Sequence, residues 1–369
     1  MNDRVKDIIV SVLFLSIIIG FCFSNIISKD KNISYSERRK LKQFPNITAQ
    51  KILDNDLNDE IEEYVMDQFI LRDKFRSIKT FVKLDILNQK DNNQLFIING
   101  NIYKTLYPLN EKSIGNFSNK INNIYERYLK GNTNIYFTIV PDKNFFLEEK
   151  YGYLKLNYQK LFSLTGKKID SNIKYIDITD TLDLDCYYNT DAHWSQDKII
   201  NTARKIANDM GFLERINTDF EKKEYGEFFG GYYGQLGKNI QSDNIYYLTN
   251  EIIENALTYN YETQKESKIY DFLKANNSMD KYDLFLSGAT PIIQIRNSNA
   301  TTDKELLIFR DSFGSSIAPL FTQAYSKITL IDIRYISTDL ISNYVKFNDN
   351  QDVLFLYSTL LINESGSLK

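Results

Sequence analysis

The chain has 369 residues, 43% of them hydrophobic and 25% charged, with 45 basic against 48 acidic side chains and a net charge of −3. That length suits one large folded domain or two smaller ones, and the lack of a basic excess argues against a nucleic-acid partner. The single histidine, His193, excludes a His-rich zinc site, and no metal is expected.

Residues 8–27 form a run of 20 without a charge, about enough to cross a bilayer core of ~30 Å as a helix. A cleaved signal peptide would need small residues at a cleavage site, and no clear A-x-A pattern is present. A single-pass anchor over residues 1–28 is therefore expected. Positive charge is denser after the run (Lys29, Lys31, Arg38, Arg39, Lys40, Lys42) than before it. Taken alone, the positive-inside rule would keep the main domain in the cytoplasm. Cys22 lies in the apolar run and cannot easily reach Cys186, so no disulfide is expected.

Residues 29–95 read as a polar linker followed by one or two amphipathic helices. Ile61, Tyr64, Val65, Phe69, Phe75, Ile78, Phe81, Val82 and Leu84 recur at helical spacing, with a break near Asp67–Asp73. Such a face packs by default against the main domain. From residue 96 to 369 the pattern predicts an α/β domain. Phe96–Tyr103 carries an Asn-Gly turn between apolar runs and reads as a hairpin. Residues 121–128 are expected to be helical. Residues 134–140 form a β-prone run closed by Pro141, as expected of a strand buried on both faces; residues 173–177 are a shorter candidate. Ser195 is placed to cap a helix over Ile199–Met210 that Gly211 can end. Residues 218–300 read as a β-rich insertion, with strand candidates at 245–248 and 291–296. Then come strands at 305–309, 328–333 and 353–356 and a helix over 315–325. Strands alternating with helices predict a mainly parallel sheet.

Two segments carry possible chemistry. Asp191 and His193 are two apart, and on an extended segment both would point the same way. The carboxylate could then fix the imidazole tautomer, the base-and-orienter half of a triad. The alternative is simple turn chemistry, with Trp194 as a core residue. The second segment is Leu306–Gly314, which places Ser312 after a buried strand and before a helix, as hydrolytic α/β folds present a nucleophile. Here the alternative is a helix cap, a role that Asp311, Ser315 and Ser316 would fill equally well.

Asp191-Ala192-His193-Trp194 together with Arg310-Asp311-Ser312-Phe313 resembles the paired motifs of the bacterial DHHW family, which is related to the SGNH-hydrolase-like domains of alginate O-acetyltransferase proteins. Weaker matches are Ser36-Glu37-Arg38-Arg39 with Phe44-Pro45, Asp67-Gln68-Phe69 with Arg72-Asp73, Val140-Pro141-Asp142-Lys143, and Asp332-Ile333-Arg334-Tyr335. Ala192 stands where the family has its first histidine. The resemblance implies an SGNH-hydrolase-like parallel sheet flanked by helices, in the permuted order Asp, His, Ser. It implies Ser312 as nucleophile, His193 as general base and Asp191 as orienter. Tyr103, Gly288, Arg310 and Arg334 are candidate substrate-pocket residues. No cofactor is implied. The implied function is O-acetyl transfer or acetyl-ester hydrolysis on a cell-surface or secreted polysaccharide, outside the cytoplasm, with a membrane-bound O-acyltransferase partner supplying acetyl groups. The competing expectation is a non-catalytic glycan-binding or assembly scaffold of a polysaccharide export complex.

Overall fold

The structure is a computed structural model that describes residues 3–54, 56–132, 134–216 and 219–369. Thr218, the expected start of the insertion, lies outside the described residues. The chain forms two compact units, Met1–Asn93 with Tyr233–Asn239, and Gln94–Tyr232 with Ile240–Lys369.

The first unit begins with helix α1 (Asp3–Ile27), which has no buried residue and a mean hydropathy of 2.4 over its most apolar window. At ~1.5 Å per residue it is long enough for the ~30 Å core of a bilayer. Short strands β1 (Ile33–Ser34) and β2 (Arg39–Lys40) pair antiparallel. Helices α2 (Ala49–Leu53), α3 (Asp56–Gln68) and α4 (Arg72–Phe81) follow, and α4 runs on as a π-helical turn, Val82–Ile86. The expected break falls between α3 and α4, where Leu71 takes a left-handed backbone with φ of 59°. Asp67 is buried and accepts two bonds from Arg39, at 2.7 and 2.5 Å, and one from the Lys42 amide at 2.9 Å. The Arg39 bonds hold its carboxyl below the usual carboxylate range. Within this unit the apolar face is only partly covered: Ile61, Tyr64 and Phe69 are half-buried. Phe75, Ile78 and Phe81 are exposed, and the buried residue of α4 is Thr80.

The second unit is built on an eight-stranded sheet. It also holds the expected hairpin as β3 (Leu95–Ile98) and β4 (Asn101–Lys104). Five strands run parallel to one another: β5 (Ile135–Val140), β6 (Lys174–Ile176) at the edge, β12 (Glu305–Arg310), β13 (Lys327–Ile331) and β14 (Gln351–Ser358). Three antiparallel strands extend one side: β9 (Leu257–Asn260), β10 (Lys265–Lys268) and β11 (Ile292–Arg296). The order is β10-β9-β11-β13-β12-β14-β5-β6. Part of the expected insertion thus enlarges the main sheet. Its other strands, β7 (Glu221–Phe228) and β8 (Asp243–Thr249), pair only with each other.

The continuous apolar runs read from the sequence are buried on both faces. Leu306 and Ile308 of β12 enter one core with Leu354 and Leu356 of β14, while Leu307 and Phe309 enter the other with Val353, Phe355 and Tyr357. Helices α5 (Glu111–Ile124) and α6 (Tyr158–Lys168) cover the second face through Phe117, Ile121 and Leu161. On the first face lies α7 (Ile200–Asp209), which uses Ala203, Ile206 and Ala207. The described residues also hold the short helices α8 (Gly231–Leu236), α9 (Glu251–Asn255), α10 (Phe272–Asn277), α11 (Phe313–Ile317) and α12 (Thr359–Asn363). α11 is followed by a 3-10 stretch, Ala318–Ala324, so the helix expected over 315–325 changes pitch at Pro319. Ser195 precedes a 3-10 turn and bonds Asp197 at 2.5 Å instead of capping α7.

Candidate active site

β12 sits where the strand order reverses. The chain leaves it for β13 on one side, while β14 lies on its other side. Open parallel sheets present their ligand crevice at the carboxyl ends of strands around such a point. Ser312 stands there, directly after β12, with φ −63° and ψ −22°. Its hydroxyl makes no cap bond to α11, which leaves it available to another partner.

That partner is His193, whose Nε2 lies 2.7 Å from the Ser312 Oγ. The opposite ring nitrogen, Nδ1, is 2.6 Å from Asp191 Oδ1. A carboxylate on Nδ1 keeps the proton there and presents the Nε2 lone pair to the hydroxyl. The Asp191 and His193 side chains are mostly buried, 5% and 16% exposed, so these bonds are little screened by water. The two residues meet through a tight turn, not along an extended segment as expected. Tyr187 bridges Trp194, Tyr188 N–H donates to His193 O at 3.1 Å, and Asp191 Oδ1 also accepts the His193 amide at 3.0 Å.

The turn is gripped from outside. Asp191 Oδ2 accepts the Gly231 amide at 2.6 Å. Asp243 accepts the Asn189 and Thr190 amides, each at 2.8 Å, and the Thr190 hydroxyl at 2.5 Å. Lys143, buried just after β5, donates from Nζ to the carbonyls of Ile102, Tyr188 and Asn189 at 2.7, 2.8 and 3.0 Å. Burial pushes its ammonium down to about 7, against the pull of Asp243 and Asp191.

The imidazole itself is held by rings. Tyr282 stacks on His193 with centroids 4.1 Å apart and planes 13° off parallel, and Phe313 lies 5.1 Å away on a tilt. The Tyr282 hydroxyl, whose pKa burial keeps well above its ordinary value, bonds Ser316 Oγ at 2.8 Å. Trp194 donates to the same oxygen at 2.8 Å. Ser316 belongs to α11, so one hydroxyl ties both the ring that backs the histidine and the neighbouring tryptophan to the helix that starts after Ser312.

No family model matches the sequence, and no curated protein matches it. Solved structures do. A DHHW family protein from Eubacterium siraeum superposes with a TM-score of 0.58 at 20% identity, over 74% of this chain and 93% of its own. This chain shares its fold. PatB1 of Bacillus cereus gives 0.58 at 20% identity, over 73% and 97%. The O-acetyltransferase domain of Pseudomonas putida AlgJ is more distant, 0.40 at 10%, over 69% and 84%.

The fold brings Ser312, His193 and Asp191 within hydrogen-bond reach of one another, and the other candidate residues take the following positions. Tyr103 is buried in the β3–β4 hairpin, stacked on Phe96 at 5.3 Å and facing the Lys143 ammonium at 5.3 Å. Gly288 sits in a turn with φ of 81°, where a Cβ would fall 2.1 Å from Asp283 Oδ1. Arg310 is buried 3.7 Å from Asp332, with Nε and Nη2 unpartnered among the described residues. Burial lowers its pKa. Arg334 is fixed to Asp332 at 2.9 and 2.6 Å. Sequence reasoning assigned no role to Tyr282, Lys143, Asp243 or Gly231. Two signals were available: the Val140-Pro141-Asp142-Lys143 match, and the Gly230-Gly231 pair, where a Cβ on Gly230 would meet Thr190 O at 2.3 Å.

Proposed function

We propose that the second unit is a serine-dependent acyltransferase or esterase acting on acetyl groups of a polysaccharide. The observation that carries this reading is the unbroken line of bonds from Asp191 through His193 to Ser312. Ser312 Oγ attacks the acetyl carbonyl as its proton passes to His193 Nε2. The tetrahedral intermediate collapses, the donor alcohol leaves with that proton, and acetyl-Ser312 remains. A sugar hydroxyl, or water, then gives its proton to Nε2 and attacks the acetyl carbonyl; as the bond to Ser312 Oγ breaks, the imidazolium returns that proton to Oγ and the acetylated sugar, or acetate, leaves. Asp191 holds the tautomer and offsets the imidazolium charge. The amides of Phe313, Gly314 and Ser315 are committed to Asp311 and Ser312 oxygens, which leaves the Ser312 amide as the candidate oxyanion donor.

The substrate class rests on the resemblance of the Asp191–Trp194 and Arg310–Phe313 motifs to the DHHW family; PatB1, which shares the fold, has also been solved with a sulfonyl adduct. In this reading α1 anchors the chain, the second unit works outside the cytoplasm, and a membrane-bound O-acyltransferase supplies the acetyl group. A glycan-binding scaffold gives no reason for these three side chains to line up. The test is acetyl-ester turnover together with labelling by a sulfonyl fluoride, read by intact mass and peptide mapping. One label on Ser312, absent in Ser312→Ala and His193→Ala, and loss of turnover in both variants are expected. Labelling elsewhere, or near wild-type turnover in either variant, overturns the assignment.

A further inference from the structure

Helix α4 is built inside out. Its buried side is polar: Thr80 donates to Leu236 O at 2.6 Å, and Arg76 donates to Gly234 O at 2.8 Å and Gln235 O at 3.2 Å. The opposite side carries Leu71, Phe75, Ile78 and Phe81, between 43% and 56% exposed, and the stripe continues into exposed Ile86 and Leu87. Leu71, Phe75 and Ile78 follow each other at steps of four and three, so they form one stripe, with Phe81 at its margin. A soluble helix places its apolar stripe toward a core, and a stripe left outside marks an interaction surface.

The same helix is tied to the segment that is apolar enough to cross a membrane. Phe21, in the penultimate turn of α1, stacks on Phe69 at 5.7 Å and meets Phe75 edge-on at 5.8 Å; Phe69 and Phe75 are 5.6 Å apart. One turn on, Asn25 Oδ1 accepts the Ile70 amide at 2.7 Å. The exposed stripe therefore begins at the end of α1, where a spanning helix leaves the hydrocarbon. Lys79, exposed beside the stripe, and Lys74, exposed on the stripe itself one turn before Ile78, suit phosphate headgroups, since a lysine stem lies on apolar surface while its ammonium reaches the interface.

We propose that α4 and its π-helical extension lie on the bilayer, with Phe75, Ile78 and Phe81 in the headgroup–acyl boundary. This rests on the reading that α1 crosses the membrane. Phe75 would then share one aromatic cluster with the anchor, and the first unit would be held against the surface instead of swinging on a tether.

The test uses the full chain with Cys22→Ala, since Cys186 is buried. Nitroxide labels are placed through Phe14→Cys, Ser77→Cys, Ile78→Cys or Phe81→Cys, in vesicles of phosphatidylcholine and phosphatidylglycerol. Relative accessibility to oxygen and to a water-soluble nickel chelate is read by power saturation. Labels at 14, 78 and 81 are expected to favour oxygen, and the label at 77, on the polar side, to favour nickel. Nickel-accessible labels at 78 and 81 with 14 in lipid overturn the inference alone. Water access at 14 overturns the anchor as well. Labels at 78 and 81 that are wet in pure vesicles but shielded in native membranes point to a protein partner and also overturn it.

Discussion

Asp191→Asn separates an orienting carboxylate from a merely structural one. The bonds that Asp191 accepts include the His193 ring at 2.6 Å and the His193 amide at 3.0 Å on Oδ1, and the Gly231 amide at 2.6 Å on Oδ2. Asparagine has one acceptor oxygen and cannot serve both sides. If its oxygen faces Gly231, its amide donates to Nδ1 and moves the imidazole proton to Nε2, where the ring can no longer take a proton from Ser312. If the oxygen faces His193, the tautomer survives, but the Gly231 N–H loses its acceptor and the imidazolium loses its counter-charge. Either way one amide is left unsatisfied, at a cost of about 1–3 kcal/mol. Turnover should fall by on the order of 10³–10⁴, as expected when a base has the wrong tautomer. The assay is hydrolysis of an activated acetyl ester at fixed pH, with thermal unfolding measured in parallel. Turnover within about tenfold of wild type, in a variant destabilised by about 1–3 kcal/mol, would refute the orienter role while leaving the packing argument intact.

Four further outcomes follow from the geometry. The Lys143 ammonium, pushed down to about 7 by burial, should lose a proton as pH rises through that value, leaving two N–H groups for three carbonyls. Turnover should decline on that limb, and Lys143→Met should lack it; the unfolded lysine keeps its proton to ~10.4, so the contribution of this group to stability instead rises with pH between those values. Tyr282→Leu removes the ring stacked on His193 and should lower turnover by about 3- to 30-fold, from ~0.5–2 kcal/mol of lost stacking on a cation, whereas Tyr282→Phe keeps most of it. Equal losses in both variants would show that the Ser316 bond, not the ring face, matters. Gly230→Ala puts a Cβ 2.4 Å from that of Asp191 and should cost ~1–3 kcal/mol with a matching loss of activity, read by melting and ester turnover. Gly115→Ala, with open space inside α5, should stabilise by about 0.5–1 kcal/mol.

The sequence by itself determined where buried strands lie, because β5, β12 and β14 are continuous apolar runs that only a sheet covered on both faces can hide. It also put Ser312 after such a strand and made His193 the one possible imidazole base, and the resemblance joined the two. The close range between Asp191 and His193 was legible, though the reason was not: an Asp side chain closing a turn on the His193 amide does what an extended segment was expected to do. Tertiary structure decided the rest. Tyr282, Lys143, Asp243 and Gly231 reach the turn from 40 to 89 residues away along the chain, and local periodicity does not mark such contacts. Helix periodicity located the apolar stripe of α4 but not its direction. A stripe of Phe75, Ile78 and Phe81 reads the same whether it faces a core or a bilayer, and only the polar partners of Arg76 and Thr80 show which side is turned inward.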